Sequence, residues 1–116
     1  MKCGHLVFIA AGILAGASVT HASEPVSPEA GASLFEHWCL PCHGAGPHHP
    51  GTAALDAKYR GAVPGALQER TDLDSGLIKA VVRGGAGNMA PFRKTEITDA
   101  ELDALAQYLS QSARHP

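Results

Sequence analysis

A chain of 116 residues with eleven acidic and nine basic side chains, net charge −2, has room for one small domain. Its basic residues form no run or stripe, which excludes a nucleic-acid surface and a docking face built from a ring of lysines.

The first residues read as an export signal. Lys2 supplies a positive start, Leu6 to Val19 form an apolar run, and Thr20-His21-Ala22 offers the small residues of a cleavage site. Residues 1–22 are therefore expected to be removed in a periplasmic protein, with residues 23–116 as the domain. The apolar run is shorter than the roughly 20 residues that span a bilayer, so no stable membrane span is expected after cleavage. Cys3 precedes the run and leaves with it. The remainder carries eight basic and eleven acidic residues, a net charge near −3. A chain this short calls for a staple beyond its own core.

Ser23 to Pro28 form a polar lead-in. Ser27 as N-cap, Pro28 at the first helical position and Glu29 in the first turn predict a helix from Pro28 to Trp38. Ala30, Leu34 and Trp38 share one side and Gly31 with Phe35 an adjoining strip. A glycine inside a helix costs about 1 kcal/mol against alanine, so Gly31 implies the close approach of another backbone.

Next comes Cys39-Leu40-Pro41-Cys42-His43, and CxxCH is the spacing of covalent c-type haem attachment. Cys39 and Cys42 are placed to add across the haem vinyl groups as thioethers, and His43 to ligate the iron from one face. One covalent haem c per chain would also be the apolar body around which a short chain packs. A thioredoxin-like disulfide between Cys39 and Cys42 lacks the surrounding βαβ pattern, and a closed zinc site lacks ligands.

Gly44 to Gly61, rich in glycine, proline and histidine and without helical periodicity, is predicted as loop over the haem, with at most a turn near Ala53 to Tyr59. Val63 to Arg70 holds a short helical turn. A helix follows from Asp74 to Arg83, capped by Asp74 or Thr71, with Leu77, Ile78, Val81 and Val82 as its apolar strip and Gly84-Gly85 as its end. The last helix opens on the capping box Thr98-Asp99-Ala100-Glu101 and continues with Leu102, Leu105, Ala106 and Leu109 at helical spacing. No segment alternates as a strand does, so the fold class is all-α.

Between the last two helices lies Gly84 to Phe92, which contains Met89, the one methionine besides the initiator. A thioether opposite the His43 imidazole would complete a low-spin iron and raise its potential. The alternative is a gap-filling core methionine. Trp38, Tyr59, Arg60 and Arg83 are candidates to hold the haem propionates, which otherwise would be unpaired charge. His37, His48, His49 and His115 are alternative iron ligands or exposed side chains. Arg93 and Lys94 are candidates for the rim of a docking surface. If Met89 is not bound, an open sixth position would make the chain a haem sensor or peroxidase, with His48-His49 as the evident source of a distal polar group.

These residues resemble the class I monohaem cytochromes c over essentially the whole mature chain. Gly31 and Phe35 stand eight and four residues before Cys39, as in that family's first helix, and Leu105, Tyr108 and Leu109 resemble its crossing residues on the last helix. The resemblance implies the small cytochrome c fold: crossed N- and C-terminal helices, a further helix before the methionine loop, and haem wrapped by loops. It implies His43 as proximal and Met89 as distal ligand, and a proline carbonyl, from Pro50 or Pro47, accepting a hydrogen bond from His43. Ala90 stands between Met89 and Pro91 where many relatives have proline directly after the methionine.

More narrowly, His37 to His43, Pro50 to Leu55 and Met89 to Glu96 resemble the small cytochrome subunit of flavocytochrome hydroxylases of 4-alkylphenols, the p-cresol methylhydroxylase and eugenol hydroxylase type. That resemblance implies an electron carrier, itself not an enzyme, fed by a flavin-containing phenol-oxidising subunit. The other course is a free shuttle between another dehydrogenase or respiratory complex and an oxidase.

Overall fold

The computed structural model describes residues 27–112. The expected signal and His115 lie outside the described residues.

The first helix is one continuous rod in three parts: α1 (Pro28–Leu34), a π-helical turn (Phe35–Cys39) and α2 (Leu40–His43). Ser27 caps it, its side chain accepting from the Ala30 amide at 3.4 Å. The expected end at Trp38 is too early, and Pro41 explains what happens instead. Proline has no N–H to donate, and in an α-helix its ring would press on the carbonyl four residues back, that of His37. The wider turn moves that carbonyl aside, and the Leu40 amide reaches back to the Phe35 carbonyl. Helical structure therefore runs through the whole CxxCH motif.

The predicted loop from Gly44 to Gly61 is corrected in its second half, where α3 (Pro50–Tyr59) forms a full helix. Pro50 begins it with a preset φ, and Ala53, Ala54, Leu55, Ala57 and Lys58 are strong helix formers. Thr52 is its one buried residue, so the helix carries no apolar stripe for a periodicity argument to find. Arg60 (φ 53°) and Gly61 (φ 81°) stop it in the left-handed region, and Asp56 accepts the Gly65 amide at 2.8 Å. A 3₁₀ turn (Leu67–Glu69) follows.

The helix α4 (Ser75–Gly84) is capped by Asp74, which accepts the Leu77 amide at 2.9 Å, and ends at Gly85 with φ 75°. The final helix, α5 (Asp99–Ser112), has the expected capping box: Thr98 accepts the Glu101 amide at 3.3 Å, and Glu101 accepts the Thr98 amide at 2.7 Å. Among the described residues the sole extended pairing is the bridge between Ala86 and Met89, so the fold is all-α. No helix of the described residues is long and apolar enough to cross a membrane.

The core lies where α1 and its π turn cross α5, with α4 packed alongside. Phe35, Ile97 and Leu105 are its largest fully buried side chains. A Cβ on Gly31 would lie 2.5 Å from the Ala104 carbonyl oxygen and 2.7 Å from Tyr108 Cβ. Only glycine lets the helices meet this closely, as the sequence implied. Phe35 packs on Tyr108 with ring centroids 5.9 Å apart, and Gln68 donates to the Tyr108 hydroxyl at 2.6 Å, which fastens the 3₁₀ turn to the same crossing.

Candidate haem site

The π turn and α2 set out the attachment motif. Cys39 faces the core and is buried, whereas Cys42, three residues on, is exposed. Burial, with a smaller contribution from Cys42, pushes the Cys39 thiol up to about 11. A redox CxxC depends on a depressed thiol pKa that favours the nucleophilic thiolate. Burial displaces Cys39 in the opposite direction.

His43 is half-buried, and burial lowers its pKa, favouring the neutral imidazole that a metal ligand must be. Its ring lies against the first turn of α3. A Cβ on Gly51 would fall 2.6 Å from His43 Cε1 and 2.8 Å from Nδ1, so the bare glycine backbone forms a flat wall for the imidazole. His43 Nδ1 is buried with no hydrogen-bond partner. The proline-carbonyl bond implied by the resemblance is therefore absent for both Pro47 and Pro50. Pro50 opens α3, and its carbonyl points along that helix, as residues in the first helical turn must direct theirs. Pro50 serves the site by starting the helix that brings Gly51 to the ring.

Two further bonds knot this side together. Thr52 Oγ1 donates to the Gly44 carbonyl at 2.7 Å, and His49 Nδ1 donates to the Pro41 carbonyl at 3.1 Å. The His49 ring thus belongs to the His43 side of the site. His48 is exposed, as is His37, whose ring stands edge-on to Trp38 at 4.7 Å.

Met89 approaches from the other end of the chain. It is half-buried and packs with Trp38, Leu40 and Phe92 against the core cluster that includes Cys39. Trp38 meets Phe92 edge-on with centroids 5.6 Å apart, which joins the CxxCH helix to the segment that follows Met89. The fold thus gathers the motif, Trp38 and the methionine loop around one apolar centre.

The candidates for the propionates divide. Arg83 is occupied elsewhere: Nη1 donates to the Phe92 carbonyl (3.1 Å), and Nη2 to the Ile97 carbonyl (2.8 Å) and Asp99 Oδ1 (3.0 Å). Tyr59 is half-buried beneath the Arg70 guanidinium, 4.7 Å from its ring centroid. Arg70 is the residue that sequence reasoning missed. It is 5% exposed and donates to both oxygens of Asp72, at 2.8 and 2.6 Å. The partners lie two residues apart in an irregular segment, where no spacing rule marks them. Arg60 is exposed at the end of α3. Trp38 remains at the apolar centre. Arg93 and Lys94 are exposed and paired with Glu96 (3.4 Å) and Asp99 (2.6 Å).

Two free thiols at CxxCH spacing, a buried-edge imidazole against a glycine wall and a thioether packed against the core cluster fit a c-type haem in donor chemistry. The arrangement, on crossed terminal helices, is that of a c-type cytochrome with the small cytochrome c fold. Residues 26–109, more than half of the chain, match the family described as cytochrome c oxidase, cbb3-type, subunit III, and the chain belongs to that family. It carries covalently bound c-type haem and takes part in haem-based electron transfer. Comparisons with curated proteins and with solved structures each gave no match.

Proposed function

We propose that this chain is an exported single-electron carrier in which Cys39 and Cys42 hold the haem through thioethers and His43 and Met89 ligate its iron from opposite faces. When bound, the haem supplies an iron that alternates between ferrous and ferric by one electron. The protein's part is to keep both ligands in place through that change. Gly51 limits rotation of the His43 ring, burial favours its neutral form, and Met89 packs against the core. A thioether ligand favours the ferrous state and raises the potential.

The observation that carries this reading is that Cys39 belongs to the hydrophobic core cluster against which Met89 packs. The sensor or peroxidase alternative needs a polar group on the Met89 side. Of the His48-His49 pair, its evident source, His49 is bonded to the Pro41 carbonyl and His48 is exposed. Replacing Met89 with alanine is expected to abolish the sulfur-to-iron charge-transfer absorption, lower the reduction potential and open the ferrous protein to carbon monoxide. Rapid and complete carbon monoxide binding by the unaltered protein at neutral pH would instead favour the open-site reading.

The donor is proposed to be a flavin-containing subunit that oxidises phenols, on the likeness of residues 37–43, 50–55 and 89–96. The family's description, which names an oxidase subunit, favours a terminal oxidase as acceptor. Location in the periplasm is proposed from the signal at residues 1–22. Affinity isolation from the native host tests the donor: a co-purifying flavin subunit supports it, and an oxidase without one supports a shuttle.

A further inference from the structure

The methionine loop leaves α4 after Arg83 and returns to the same turn of α4 at Phe92. The Phe92 amide donates to the Val82 carbonyl at 2.8 Å, and its carbonyl accepts from Arg83 Nη1 at 3.1 Å. Both polar groups of the residue that closes the loop are thereby held by two consecutive residues of the helix that opens it. Within the loop, the Ala86 and Met89 backbones exchange bonds of 3.1 and 2.9 Å around Gly87 at φ 56°, and the Met89 carbonyl lies against Gly85, where a Cβ would come within 2.7 Å. The hairpin is well formed internally, so besides the packing of Met89 against the core its position on the protein depends on its base.

From this geometry we infer that Arg83 is a positioning residue for the Met89 ligand, a clamp that joins the loop's base to the start of α5 and sets how often the thioether leaves the iron. The inference rests on the proposed His43 and Met89 ligation. One guanidinium bridges three chain segments: α4 through its own backbone, the loop exit through Phe92, and α5 through the Ile97 carbonyl and Asp99. Its side chain is 24% exposed, so these bonds form partly out of water and have limited competition from it. Asp99 answers with charge, its carboxyl held below the ordinary range by Lys94 and then by Arg83. A glutamine at 83 keeps much of the stem but cannot span to all three acceptors.

The test uses the ferric holoprotein and added imidazole, which competes with Met89 for the iron only when the loop has opened. Loss of hydrogen bonds that involve a charged donor predicts that Arg83→Gln binds imidazole about tenfold more tightly or better, with the sulfur-to-iron absorption bleaching at correspondingly lower imidazole. Asp99→Asn, which removes a single arm, should move in the same direction by less, and Arg83→Lys should fall between. Leu109→Ala, a core truncation ten residues along α5 from Asp99, should lower global stability without changing imidazole affinity in the folded protein. If Arg83→Gln does not accumulate as holoprotein, Arg83→Lys and Asp99→Asn decide the matter. Unchanged imidazole affinity in the Arg83 variants, or an equal gain in Leu109→Ala, overturns the clamp. Absence of the sulfur-to-iron absorption in the unaltered protein would overturn the ligation reading instead, so the two failures are distinct.

Discussion

His43 stands at the end of a helical rod that the core grips through Phe35 and Cys39; Met89 stands on a hairpin held at its base. The rod is fixed by Phe35, by the Gly31 contact with Ala104 and by the α3 knot of Thr52 and His49. The hairpin from Gly84 to Pro91 has no buried residue, and its half-buried Met89 meets the core from the outside. If His43 and Met89 ligate the iron as proposed, the difference assigns the two ligands different duties. The proposed thioethers are permanent because they are covalent, and displacing His43 requires moving the rod that carries it. Met89 is held by a few identifiable hydrogen bonds, so its residence on the iron can be tuned without unfolding the domain. Local opening at low free-energy cost is a property of segments with few buried apolar contacts.

The contrast can be broken at the rod first. Gly31→Ala places a methyl group against backbone in the crossing, and overpacking of this kind predicts a loss of roughly 1–3 kcal/mol. Denaturant unfolding of the holoprotein measures it, and the imidazole affinity of the folded fraction should stay unchanged. A smaller effect is expected at Thr98→Ala, which removes the hydroxyl cap of α5 at a cost of about 1 kcal/mol. Because Thr98 adjoins Ile97, whose carbonyl Arg83 also holds, that variant sharpens the comparison: a gain in imidazole affinity should accompany it, still below that of Arg83→Gln. Equal responses of Gly31→Ala and Thr98→Ala in imidazole binding would mean that the two ligands are not independently held.

Much of the frame was legible because its signals are local. Ser27, Asp74 and the Thr98/Glu101 pair cap the helices they were expected to cap, Gly85 ends α4, and Gly31 marks the crossing. Where local signals and burial part company the sequence misleads. The α3 helix has only Thr52 inside, so its apolar pattern is blank, and glycine, proline and histidine before it suggest a loop. The π turn at Phe35–Cys39 reflects the steric demand of Pro41 within a longer rod, which a helix ending at Trp38 had concealed. The site divides in the same way. CxxCH and a lone loop methionine are short-range patterns. The roles of Gly51, Arg70 and Arg83 arise from partners that the fold brings near, and for Arg83 those partners lie 9 to 16 residues away. In this structure its terminal nitrogens bond the loop base and the start of α5.

The most direct test of the whole account is the intact mass of the exported protein, followed by mapping of the peptide that contains residues 39–43. The account predicts one haem added to a chain cut after Ala22, retained under denaturing acid and located on Cys39 and Cys42. A polypeptide mass with no added porphyrin, or a haem that acid extracts, would contradict it.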